Sequence, residues 1–195
     1  MVDMVNEALH HIKDGKKDVL YDFSSECFTN APQELTQHIV NLFKGFAIHG
    51  YVSTFILIAT LVPIVKDSIG DLASSSNYRA IAVGSLLLKI FDWLLLLLEG
   101  DKLTTDELQF GFQKMSSTTM CTWTLSTVVE HFNNRGRDVF AAACDISKAF
   151  DVCSGLFLFK DLRDKNVSTI FLRLLLNQWC SSRFGCVSHL LLCLH

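Results

Sequence analysis

The chain has 195 residues, half of them apolar, with a mean hydropathy of +0.32, so it can bury a sizeable core and is not a disordered segment. One domain, or most of one, is expected. A formal net charge of −3 and a pI near 6.1 exclude a global positive field able to hold a phosphate backbone, so any grip on nucleic acid must be local.

Residues 2–12 read as a short, weak helix running into the polar stretch Lys13-Asp14-Gly15-Lys16-Lys17-Asp18, a solvated turn by composition. Pro32 stands where the first turn of a helix tolerates it. Leu35, Ile39, Leu42, Phe43 and Phe46 follow at helical spacing up to Gly50, which predicts a core-packing helix. Over 55–65 the run FILIATLVPIV is rich in β-branched side chains and broken by Pro63, predicting a strand whose proline lies at an edge or a bulge. Polar residues punctuate 66–76, and NYRAIAV (77–83) reads as a second strand, so an antiparallel hairpin with a long connection is expected. A helix over 84–98 follows, stopped by Gly100, with Lys89 and Asp92 on its wet face.

Ser117 and Thr118 are candidate caps for a helix to about Phe132, whose apolar stripe is Leu125, Val128, Val129 and Phe132, closed by Asn133, Asn134 and Gly136. The continuous apolar run Val139-Phe140-Ala141-Ala142-Ala143-Cys144 predicts a buried central strand that delivers Asp145 at its end. Residues 156–162 and 168–180 read as helices. Helices mixed with a few separated strands make the class α+β.

Seven cysteines (Cys27, Cys121, Cys144, Cys153, Cys180, Cys186, Cys193) and no signal-peptide pattern predict reduced thiols in an intracellular setting, cytoplasmic or nuclear. Cys180, Cys186, His189 and Cys193 lie close together, but their spacing fits no zinc pattern. The most apolar stretches, 51–65 and 86–98, fall short of the roughly 20 residues a membrane span needs, so no membrane partner is expected.

The segment Asp145-Ile146-Ser147-Lys148-Ala149-Phe150-Asp151 carries the chemistry. Carboxylates at a strand end can hold Mg²⁺, which prefers oxygen ligands and leaves positions for substrate phosphate. A pair of such ions activates the attacking oxygen and stabilises the leaving one in phosphoryl transfer. A bare aspartate pair is more often a helix cap or a solvated face.

The company of this segment decides the reading. ATLVPIVK, SNYRAIAVGSLLLKIFD, LQFGFQKMSSTT and DVFAAACDISKAFD follow one another in order, flanked by ALHHIKDGKKD, NAPQEL, FKGFAIHG and LRDKNVSTIFLRLLL. Together they resemble the reverse transcriptase domain of non-LTR, long interspersed retrotransposons, over nearly the whole chain up to about Arg183. The resemblance implies the fingers and an incomplete palm of a right-hand polymerase: an N-terminal helical flank over 1–50, fingers over 51–135 and a partial palm over 136–195. It implies RNA template, DNA primer and deoxynucleoside triphosphate as partners, and Mg²⁺ as the metal of an intact domain.

Residue by residue, the resemblance makes Asp145 the first palm aspartate, catalytic and metal-binding, with the backbone carbonyl of Ile146 as a further metal ligand. Phe150 falls at the aromatic position under the incoming sugar, where a flat ring would reject a ribose 2′-hydroxyl; an ordinary core phenylalanine is the alternative. Lys66 and Arg79 match the two fingers cations that clasp the triphosphate, a task that needs fixed positive charge and suits the bidentate guanidinium. Gln109 and Gly111 match the template side, with Gly111 letting backbone approach a strand.

The chain also departs from the family. Ala80 stands where Asn-Tyr-Arg-Pro has proline, and Gln113 where arginine is common. No Tyr-x-Asp-Asp motif follows Asp151: the later acidic residues are Asp161 and Asp164, which are not adjacent, and the Gln-Gly loop is missing too. One aspartate and a carbonyl are too few to hold two divalent ions beside a primer end, so an incomplete, inactive polymerase fragment is expected, with little hold on Mg²⁺. The tail 185–195 leaves the family pattern, and exposed apolar surface around Cys144 is expected. The alternatives are a non-catalytic remnant that binds nucleic acid or protein, and an unrelated helical interaction protein.

Overall fold

The structure, a computed structural model, describes residues 1–18, 20–103, 106, 108–111, 115–145 and 154–181. It is α+β: among the described residues, helices pack around one core and one two-stranded antiparallel sheet accompanies them. In chain order the elements are α1 (Val2–His10), α2 (Glu26–Thr29), α3 (Gln33–His49), α4 (Thr54–Leu57), β1 (Ala59–Val65), β2 (Tyr78–Gly84), α5 (Leu86–Glu99), α6 (Thr118–Asn133), α7 (Gly155–Asp164) and α8 (Thr169–Ser181).

The most apolar helix, α5, organises the core. Leu86, Leu88, Ile90, Phe91, Leu94 and Leu95 are buried, α1 and α4 pack against it, and α8 packs on α3 and α4. Phe91 meets Phe43 of α3 at 5.0 Å between ring centroids and Phe46 at 5.6 Å, the latter nearly edge-on. Such pairs add to plain burial because ring edges and faces carry opposite partial charge. The buried cluster runs from Val5 through Phe171, Leu174 and Leu175, so it draws on all three segments into which the sequence motifs divide the chain.

Several predicted elements are present. α3 starts directly after Pro32 and ends at Gly50, whose φ of 62° lies in the left-handed region that favours glycine. A Cβ at Gly50 would also stand 3.3 Å from the Arg173 guanidinium. The antiparallel hairpin forms, with Pro63 opposite Ala80 in a sheet where each strand is an edge. Its first strand begins only at Ala59, because residues 54–57 form a helical turn. Gly100 does not stop α5 abruptly: it stays right-handed and the chain continues in a short 3-10 turn to Lys102.

Other expectations need correction. Leu42 is exposed, and Thr36 and Val40 join Ile39, Phe43 and Phe46 on the buried face of α3. α6 forms and is capped by Ser117 Oγ, which accepts from Met120 N at 3.2 Å, yet none of its residues is buried: of its stripe, Leu125 and Val128 are exposed and Val129 and Phe132 only half-buried. The run 139–145 is not a strand: it is irregular and Phe140 is 94% exposed. A continuous apolar run makes a strand only where neighbouring strands accept its hydrogen bonds, and among the described residues β1 and β2 pair with each other and with no third strand.

Two aspartates read as wet are buried. Asp18, in the supposed solvated turn, is 5% exposed. Its Oδ2 accepts from Leu86 N at 2.8 Å, and its Oδ1 accepts from Leu20 N at 2.9 Å and Tyr21 N at 3.0 Å. Beside it, Ser85 Oγ accepts from Leu88 N and donates to Ile56 O. The two side chains thus satisfy free N–H groups at the start of α5 and tie that helix to the residues before β1. Asp18→Ala is expected to cost about 2 kcal/mol, because three donors lose their acceptor and the Leu86 N–H sits in a buried bond. Urea unfolding would show it as a lower midpoint with an unchanged slope.

Asp92, assigned to the wet face of α5, is 3% exposed instead. It lies on the same buried face as Leu88, Leu95 and Glu99 and is hydrogen-bonded to Gln178 of α8, while its Oδ1 has no hydrogen-bond partner among the described residues. Glu99 ends this face. Its Oε2 pairs with Lys102 Nζ at 2.7 Å and accepts from Ser168 N at 3.3 Å, at the start of α8. Burial works to raise the Glu99 carboxyl, but the bonds to Lys102 and Ser168 outweigh it and hold the group below its ordinary value. A third polar tie, from Val52 N to Asn177 Oδ1 at 3.1 Å, fixes the middle of α8.

Candidate nucleic-acid interface

The hairpin is where the structure gathers the cations singled out in the sequence. Ile64 pairs with Arg79 and Val65 with Tyr78, and the Lys66 N–H donates to Asn77 O at 2.8 Å one step beyond β1. Strand side chains alternate between faces, so this register puts Lys66 and Arg79 on one face as diagonal neighbours, together with Val62, Ile64 and Ile81. Both cations are exposed. Val62, Ile64 and Ile81 are 40%, 50% and 40% exposed, so the charged end continues into open apolar surface. Such a surface suits a ligand with anionic groups joined to flat rings.

The connection between the strands is tied rather than slack. The amide of Asn77 is its hub: Oδ1 accepts from Asp67 N at 3.0 Å, while Nδ2 donates to Asp67 O at 2.8 Å and Asp71 O at 3.2 Å. Asp67 and Asp71 each fold a side-chain oxygen onto the backbone two residues on, and Tyr78 Oη donates to Leu72 O at 2.9 Å. Lys66 Nζ donates to Ser76 O at 2.6 Å, which holds the ammonium beside the ladder. It keeps two further N–H groups for other acceptors.

The remaining expected site residues are not brought to this face by any hydrogen bond or ion pair among the described residues. Gln109 Nε2 donates to Gly111 O at 2.9 Å, so the amide is turned onto its own tight turn, where Gly111 is exposed. Asp145 stands exposed on irregular backbone, not at the end of a central strand. Ile146, Phe150 and Asp151 lie outside the described residues, as do Gln113, Cys186, His189 and Cys193. Cys27, Cys121, Cys144 and Cys180 are free, exposed thiols.

Among the described residues Asp145 is an exposed carboxylate, and no group of three ligating side chains converges there. Mg²⁺ needs several oxygens in a fixed octahedron, which a single exposed carboxylate does not provide.

Compared with known proteins, the chain matches no family model and no curated sequence. Among the described residues no helix is long and apolar enough to cross a membrane. Sequence reasoning missed Asn77 as the organiser of the loop. A signal was present in the run of Asp67, Asp71 and Asn77, residue types that fold onto their own backbone in turns.

Proposed function

We propose that this chain is a fragment of a reverse transcriptase domain, its fingers and an incomplete palm, and that it acts as a nucleic-acid-binding module without polymerase activity. The ordered motifs around Lys66, Arg79, Gln109 and Asp145 support the family. One observation carries the binding role: the β1–β2 register sets Lys66 and Arg79 on a single exposed face. In an intact relative those cations would clasp a nucleotide triphosphate and Asp145 would hold metal. The lack of the expected Tyr-x-Asp-Asp motif after Asp151 argues against polymerisation, whereas two aligned cations still attract phosphate.

The test is titration of a short single-stranded RNA at several salt concentrations. Binding is expected to be salt-sensitive, and Lys66→Ala and Arg79→Ala should each reduce the slope of log K against log salt by about 0.7, one phosphate contact on a single strand. Asp145→Asn should leave the curve in place, and no primer should be extended in Mg²⁺. Extension that disappears in Asp145→Asn would restore the polymerase reading. Salt-independent binding, or none, would favour a helical protein-interaction module.

A further inference from the structure

We propose that Asn77 is a positioning residue for the cationic face: it locks the loop between β1 and β2 so that the Lys66 ammonium is held over the side of the ladder bearing Arg79. The role in binding rests on the reading above; the positioning itself does not. Lysine carries a long, flexible stem and loses much rotamer freedom when its head is fixed. In this loop the head is fixed by Ser76 O, and Ser76 belongs to the turn of residues 75–77 that ends at Asn77. The three bonds of the Asn77 amide tie that turn to Asp67 and Asp71. Gly70 lies against the same knot: a Cβ there would stand 3.1 Å from Asp67 Oδ2 and 3.2 Å from Asn77 Nδ2. The loop is otherwise open to solvent, so its order comes from these polar ties rather than from packing.

Without the Asn77 amide, Asp67 N loses an acceptor and two carbonyls lose a donor, all on the surface where water replaces them. The fold is therefore expected to survive. Lys66 would be released from its carbonyl and sample many rotamers, and a phosphate would then have to order it on binding.

The experiment has two arms. In the first, the whole chain is treated with a limiting amine-modifying reagent and each lysine is followed by mass spectrometry, with Lys44, exposed on α3, as the internal reference. Lys66 is expected to react several-fold more slowly than Lys44, and Asn77→Ala should bring it to the Lys44 rate without moving the melting temperature. Gly70→Ala, which presses on the knot from the other side, should speed Lys66 by a smaller factor. Equal Lys66 rates in wild type and Asn77→Ala would overturn the proposal.

In the second arm, Asn77→Ala is combined with Lys66→Ala and RNA affinity is measured for all four forms. Acting through Lys66, Asn77→Ala should weaken binding several-fold in the wild-type background and have no effect once Lys66 is gone. An equal loss in both backgrounds would overturn it. Should Lys66→Ala alone leave RNA affinity unchanged, the nucleic-acid reading fails, while the modification rates still decide whether Asn77 positions Lys66.

Discussion

Asp92→Asn is expected to make the protein more stable at alkaline pH and nearly indistinguishable from the parent in acid. Burial pushes the Asp92 carboxyl from its ordinary 3.8 up to about 8, and the Gln178 hydrogen bond only partly offsets this. Among the described residues no ionic partner acts on it, so charging the group inside the fold is unfavourable. The folded value lies above the unfolded one. The group's contribution is therefore fully present below about 4 and is lost as pH climbs toward about 8, at roughly 1.4 kcal/mol per pH unit.

Asparagine keeps the shape and cannot ionise, so the difference between variant and parent should grow across that window to several kcal/mol. Glu26 and Glu99, held below their ordinary values, run the other way, contributing above the unfolded value and losing it as pH falls, but they cancel in the comparison. Urea unfolding of both proteins at a series of pH values reads the effect directly. A difference that stays flat with pH would mean that Asp92 is already charged in the fold.

The largest loss is expected from Phe91→Ala. Phe91 is 2% exposed and joins α5 to both Phe43 and Phe46 of α3. Removing the ring leaves a cavity between two helices that cannot close without moving α5, whose first turn is also tied to Asp18 and Ser85. A cost of about 3–5 kcal/mol follows, a large share of the stability of a domain this size. Circular dichroism would show a lower melting temperature, and the hairpin's amide protection should fall with it, since β2 runs directly into α5. Unchanged protection in β2 would show that the hairpin folds apart from the core.

What was legible in the sequence was whatever local chemistry decides. Proline at 32 and glycine at 50 bracket α3, Ser117 caps α6, and the β-branched residues around Pro63 pair with 78–84. Burial was legible only where a helix alternates wet and dry sides. On α5 nearly every residue is apolar, so the pattern makes Asp92 the mark of the wet face, whereas α8, almost ninety positions on, covers it. Asp18 is hidden from the sequence for a similar reason: its acceptor role depends on the start of α5, which is remote in sequence. The run 139–144 failed in the opposite direction, because strand formation needs a pairing neighbour that no local pattern supplies. In the site, Lys66 and Arg79 were singled out by the resemblance, and the β1–β2 register is what sets them on one face, while the Asn77 knot depends on a twelve-residue loop whose closure the pattern of polar residues leaves undetermined.

The Lys66–Asn77 bond also fixes which backbone groups of the hairpin turn outward. Steps of two from that bond reach the pairs Ile64–Arg79 and Val62–Ile81, so Pro63 and Ala80, between them, fall where amides point away from the partner strand. On the β1 flank that place is a proline with no hydrogen to offer, so an incoming chain finds a gap in mid-ladder and is turned away. On the β2 flank the same place holds Ala80, which keeps an N–H and has no hydrogen-bond partner for it among the described residues. The hairpin is guarded on one side and unguarded on the other, so clumping of this chain would proceed through β2 meeting β2.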